Sequence, residues 1–375
     1  MKFFKIALCL ILLSVMVLGM VACGDGAVEI PTDTESTETE QEQTDTTVEV
    51  LPPPPPQYEN PLTGIFENVN NQANRPVAVM INNIKQALPQ EGISQADVLV
   101  ECLVEGGITR LMGIFSDYES AGAIGSVRSA RPYFLDFAQM FDAIYCHHGG
   151  SDEAYAQIAS RNLDTMDGIR KDPKKAYYRD AERLKKFALE HTMMVSGEGI
   201  AQNIAHLNYR TALREGYALP YIFAPQETSV SVGTLEATHV YLPMSGYQKV
   251  DYVYNEETAE YLRYQHNGNK HIDGKNDTQL SFKNIIVLFC NTTVLDDLGH
   301  LAVTTVGSGS GYLISEGKAT EITWIRGDKE GNLTLIETES GAPIVLNRGK
   351  TAINVCTVSI QSSVRLNATD RIMQE

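Results

Sequence analysis

Glu101 and Glu105, two acids four residues apart, invite comparison with the paired carboxylates of glycoside hydrolases. The spacing argues against that chemistry: four residues of strand span about 13 Å, whereas catalytic pairs stand roughly 5 to 9.5 Å apart, unless a bend at Gly106 shortens the gap. No GxSxG nucleophile elbow occurs and no cysteine has a papain-like context, while Ser196-Gly-Glu-Gly199 lacks the strand and helix setting of a phosphate cradle. Metal chemistry fares no better. His147 and His148, adjacent on a strand end, point to opposite faces, and His266, His271, Asp273 and Asp277 read as the hydrophilic tip of a hairpin loop. These patterns predict no catalytic residue, no cofactor and no metal.

A different chemistry attaches to Arg128 and Arg131. Both precede a helix opened by Pro132, where the dipole and free N–H groups favour negative charge, so two cations there call for an anion. Glu101 and Glu105, on one face of their strand, are one source. The other is an anionic ligand group held jointly with Arg110 and the Gly149-Gly150-Ser151 turn, which also leads into a helix N-terminus. The first source makes a salt-bridge network that fixes a hairpin against the helix; the second makes a cleft in which arginines clasp a carboxylate or phosphate.

The elements that must position these residues divide into two runs. Over 58–225 the pattern is mixed α+β: a buried strand at 75–81, then strands at 96–105 and 110–115 joined by Gly106-Gly107 as a hairpin. The helix from Pro132 carries Phe134, Phe137, Ala138 and Phe141 on one face; a strand follows at 143–146, and Ser151 caps the next helix. Further helices are predicted over 180–190, with Leu184, Phe187 and Ala188 inward, and over 200–207. Over 226–375 short β-rich runs recur at regular spacing, which predicts a smaller all-β, antiparallel domain. Each domain is expected to have its own core and to fold as a separate piece.

The N-terminus states an address. Lys2 and Lys5 precede an uncharged run of 16 residues, 6–21, that closes on Met20-Val21-Ala22-Cys23. A transmembrane helix wants roughly 20 apolar residues, so 1–22 reads as a signal peptide whose close resembles a lipobox, with Met20 where Leu is usual. Cys23 then becomes the new N-terminus carrying a diacylglyceryl group and a further acyl chain such as palmitate, enough for stable anchoring to the membrane. Residues 23–57 hold nine acids, no Lys or Arg, many Thr and a run of five prolines, a disordered spacer that builds no core. Without Lys2 and Lys5 the chain has 28 basic and 47 acidic residues, a net −19 of which the spacer supplies −9. A body at about −10 excludes nucleic acid as a partner. Cys102, Cys146, Cys290 and Cys356 sit in apolar runs and read as buried thiols, with a disulfide between Cys290 and Cys356, both on strands of one domain, as the alternative.

Glu105-Gly-Gly-Ile-Thr-Arg110, Gly125-Ser-Val-Arg-Ser-Ala-Arg-Pro132 and His148-Gly-Gly-Ser151 resemble, in order and spacing, the signature stretches of the YerB-like lipoproteins. Tyr261-Leu-Arg263, His271-Ile-Asp273 and Asn284-Ile-Ile-Val resemble that family's separate C-terminal domain. One stretch departs: Glu190-His191-Thr-Met stands where the family tends to show Pro-His-Asn-Leu, so only His191 carries over. The resemblance implies a two-domain, lipid-anchored protein on the extracytoplasmic face of the membrane, and supplies no reaction. The candidate ligand-binding residues are therefore Glu101, Glu105, Arg110, Arg128, Arg131, His148, Ser151 and His191. The expected role is binding of a cell-envelope component, a glycan or peptide fragment or a partner protein; the alternative is an envelope hydrolase with an unrecognised site in the first domain.

Overall fold

The computed structural model describes residues 57–329 and 331–374. Cys23 and the signal peptide, with all but the last residue of the acidic spacer, lie outside the described residues. In the first half the chain forms β1 (Val77–Asn82), β2 (Val98–Leu103), β3 (Thr109–Phe115), α1 (Pro132–Met140), β4 (Ile144–His147), α2 (Asp152–Ser160), β5 (Thr165–Asp167), α3 (Ala181–Lys186) and α4 (Gly197–His206). The second half supplies β6 (His239–Leu242), β7 (Val250–Asn255), β8 (Glu260–Gln265), β9 (Asn284–Cys290), β10 (Thr292–Val294), β11 (Leu301–Val303), β12 (Gly307–Ser315), β13 (Lys318–Arg326), β14 (Thr334–Glu337) and β15 (Thr351–Thr357).

One sheet of eleven strands runs through both halves: Leu235–Glu236, β13, β12, β9, β15, β2, β3, β1, β4 and β5 in order, with β14 also on β13. The halves meet where β15 pairs in parallel with β2, Ile353 beside Val100 and Asn354 beside Glu101. Successive side chains alternate faces, so each strand feeds two cores. On one face Met80, Val100, Met112, Ile286 and Ile353 pack under α1, whose Phe134, Phe137, Ala138 and Phe141 are each no more than 2% exposed. Burial of each aromatic there contributes about 1.5–3 kcal/mol. On the other face Ile81, Leu99, Leu111, Ile285 and Ala352 pack with α4 and with a second sheet built on β6, β7 and β8.

This arrangement revises four expectations. Separate cores are replaced by two shared ones, since each core draws residues from both halves and 54–375 is one compact unit. The second half is not wholly antiparallel: β15 runs parallel to β9 on one side and to β2 on the other. Cys290 and Cys356 are free thiols on opposite faces of the sheet, as Cys356 stands beside Phe289 and therefore one register step from Cys290. The helix expected over 180–190 ends at Lys186, leaving Leu184 46% exposed. Arg183 turns inward instead and donates to the carbonyls of Ala87 (2.7 Å), Pro89 (2.9 Å) and His191 (3.1 Å), after which Phe187 is extended.

Candidate functional site

The hairpin between β2 and β3 reverses at Glu105–Gly107, where Gly106 and Gly107 take φ of +70° and +71°, a conformation that suits glycine. The turn presents Glu105 to the α1 side of the sheet. There Arg131, the residue before α1, grips both of its oxygens: Nε donates to Oε1 and Nη2 to Oε2 at 3.0 Å. Arg110 reaches the same carboxylate from β3 at 3.7 Å, while its Nη1 donates to the Ser129 carbonyl at 2.6 Å. Arg128, half-buried, donates to the Glu190 carbonyl at 3.0 Å.

Three guanidinium groups thus bear on one carboxylate. Burial alone would raise Glu105, but Arg131 and Arg110 hold it below the usual carboxylate range. Burial, then the charges of Arg131 and Arg128, push Arg110 down to about 10, and burial with Arg131 also lowers Arg128. Burial is the first cause of both arginine shifts, and Arg128 has the Glu190 carboxylate as its largest opposing charge. Beside Arg128 lie His148, half-exposed and lowered by burial and Arg179, and His191, buried with Nδ1 3.0 Å from Asn82 Nδ2. Ser151 caps α2 by accepting from the Ala154 N–H at 3.3 Å. A cleft of about 280 Å³ joins Arg131 and Pro132 to Ser151, Asp152 and Glu153, and is closed by Leu298 and its neighbours in the turn between β10 and β11.

Glu101 does not belong to this group. Strand β2 stops at Leu103, so the four-residue step from Glu101 to Glu105 is not one of extended chain and the two acids part to opposite faces. Glu101 lies among the second half's residues, 2% exposed, and is paired with Arg263 of β8, which is 0% exposed. Asn83 (3.1 Å), Thr109 (2.6 Å) and Gln248 (2.9 Å) also donate to it. Three donors on Oε1 and the Arg263 guanidinium on Oε2, all out of water, mark a structural carboxylate rather than an acid–base group. Arg263 further donates to Nδ1 of His271, whose Nε2 donates to Gln90 Oε1 at 2.9 Å.

His271 and Asp273 therefore sit in the interior rather than at a loop tip: Asp273 is fully buried and accepts from the backbone N–H of Gly92 (3.0 Å) and Ser94 (2.8 Å). The sequence carried one signal for this, the alternation Tyr261, Arg263, Gln265, which puts an arginine in line with inward-facing residues of one strand face.

Comparison with known proteins places the two halves. Residues 62–210 match the family described as Protein of unknown function (DUF3048) N-terminal domain, and residues 240–353 match its C-terminal domain. The chain belongs to the DUF3048 family. The two DUF3048 matches flank the boundary that the sequence pattern suggests, although the halves share one sheet. Across DUF3048 relatives, the chain is 29% identical over 306 residues to the "Putative lipoprotein YerB" of Bacillus subtilis strain 168, covering 79% of this chain and 85% of that one. The crystal structure of the YerB protein from Bacillus subtilis matches this DUF3048 body with a TM-score of 0.66 and 26% identity, over 82% of this chain and 98% of that one.

Proposed function

We propose that this protein is a lipid-anchored lipoprotein of the extracytoplasmic face whose arginine cleft binds the anionic group of an envelope component. The observation that carries the reading is Arg131, which lines the cleft at the head of α1 while Arg110 shares its partner Glu105, in a protein of strongly acidic composition. Two helix N-termini at the same cleft favour a carboxylate or phosphate as the missing anion. Asp152, Glu153 and Asp296 also line the cleft and would repel a polyanion. A fragment with a single acid and a nearby cation, such as a short peptide, fits that lining best.

Arg131→Ala is expected to abolish capture of soluble cell-wall fragments while lowering stability by about 1–2 kcal/mol, between the values for exposed and buried pairs, because Arg131 and Glu105 are 12% and 19% exposed. Glu105→Gln frees the guanidinium groups and should keep or tighten capture. Equal destabilisation by both substitutions with capture unchanged would show a purely structural bridge. Release of new soluble products from purified wall by the parent would show a hydrolase.

The anchor has its own test. Cys23→Ala should move the protein from the membrane fraction to the soluble one with an unchanged melting temperature, since residues 24–57 hold no apolar face to bury. Retention on the membrane after a high-salt wash would exclude the lipid anchor.

A further inference from the structure

The β4–α2–β5 unit encloses a second cavity, of about 340 Å³, that shares no lining residue with the arginine cleft. His147, the last residue of β4, lines it, as do Tyr155 of α2 and Asp167 at the end of β5. These are the carboxyl ends of parallel strands, where open α/β sheets bind their ligands.

His147 is fully buried, and its Nδ1 stands 2.7 Å from the Gly149 carbonyl. A carbonyl oxygen only accepts, so Nδ1 carries the proton and Nε2 keeps a lone pair. That Nε2 has no partner among the described residues. Buried acceptors are nearly always filled, so the atom marks a place for a donor. Asp167 cannot be what the cavity offers: Oδ1 accepts from the N–H groups of Gly149 (2.8 Å) and Ile169 (3.0 Å), and Oδ2 accepts from the Tyr155 hydroxyl (2.7 Å). At the rim Arg170 lies 3.5 Å over the Tyr155 ring, and Lys171 is exposed beside it. Two cations at the rim against the one Asp167 carboxylate disfavour an ammonium donor and favour an anion that carries a hydroxyl.

We infer that this cavity binds a small hydroxylated anion, whose O–H donates to His147 Nε2 and whose negative group rests on Arg170 and Lys171. Burial lowers the imidazole and outweighs the opposing Asp167 carboxylate and Gly149 carbonyl, which favours the neutral ring that keeps this lone pair.

The test uses the mature chain labelled with 15N-histidine and the ring-nitrogen resonances of His147. Lactate and glycerol phosphate, titrated separately, decide between a carboxylate and a phosphate as the anionic group, with propionate and methyl phosphate as their counterparts without a hydroxyl. At least one hydroxylated anion should shift Nε2 saturably, with its counterpart about tenfold weaker for the loss of one hydrogen bond. Arg170→Ala, on the exposed rim, should weaken the shift without unfolding the protein. A protonated Nε2 in the free protein, equal binding of hydroxylated and bare anions, or no saturable shift by either hydroxylated anion would each overturn the inference.

Discussion

Replacing Arg263 with alanine is expected to cost about 3–5 kcal/mol, because it leaves the Glu101 carboxylate buried without its counter-ion. Both side chains are essentially out of water, at 0% and 2% exposure. Burial would lower the arginine, yet Glu101 and Tyr252 outweigh it and raise it above its ordinary value, so the guanidinium stays charged. His271 is driven the other way, far below its ordinary value by burial and by Arg263, and so keeps the neutral ring that can accept on Nδ1. Against the roughly 5–15 kcal/mol of a typical domain, the loss would unfold a large share of the molecules near physiological temperature. Urea denaturation of Arg263→Ala should show a lower midpoint at unchanged slope. The double variant Glu101→Leu, Arg263→Met should recover only the part due to the unpaired charge, because Asn83, Thr109 and Gln248 then lose their acceptor. A loss below about 1 kcal/mol in the single variant would mean that water reaches the pair, as it does in surface bridges.

Cutting the chain at the boundary between the two halves is expected to abolish folding of both pieces. Strands β2 and β15 are each paired on both sides in the intact sheet, so separation opens a full edge on each. It also strips partners from Val100 and Cys102 in one piece and from Ile353 and Val355 in the other. The polar network divides as well: Glu101, Asn83 and Gln90 go with one piece, and Arg263, Gln248 and His271 with the other. Residues 58–225 and 226–375 expressed alone should give no cooperative melt, and the intact body should unfold in one transition by fluorescence and by circular dichroism alike. A dispersed spectrum and a cooperative transition from either piece alone would show that its half of the sheet suffices.

Much of the local structure was legible in the residues themselves. Val77–Asn82, Thr109–Phe115 and the hairpin glycines are short-range signals, as are Pro132 at the head of α1 and the Ser151 cap, because each depends on neighbours within a turn or a strand. The concentration of arginines ahead of α1 was legible for the same reason, and the structure brings Arg110, Arg128 and Arg131 together around Glu105.

The identity of the anion was only half legible. Placing Glu101 beside Glu105 assumed that β2 ran on for four residues, whereas its end at Leu103 sends the two carboxylates to opposite faces. The roles of His271 and Asp273 were out of reach, because polar residues near turns look alike whether water or a distant strand satisfies them, while for Arg263 only the strand alternation pointed inward. Amino-acid order by itself determined the longer strands and helices and which of their side chains share a face, since those follow from periods of 2 and 3.6 residues, whereas the three-residue β5 carried no such period. Only the tertiary structure decided what each face meets, because the pairing of β2 with β15 joins residues some 250 positions apart and no periodicity carries that information.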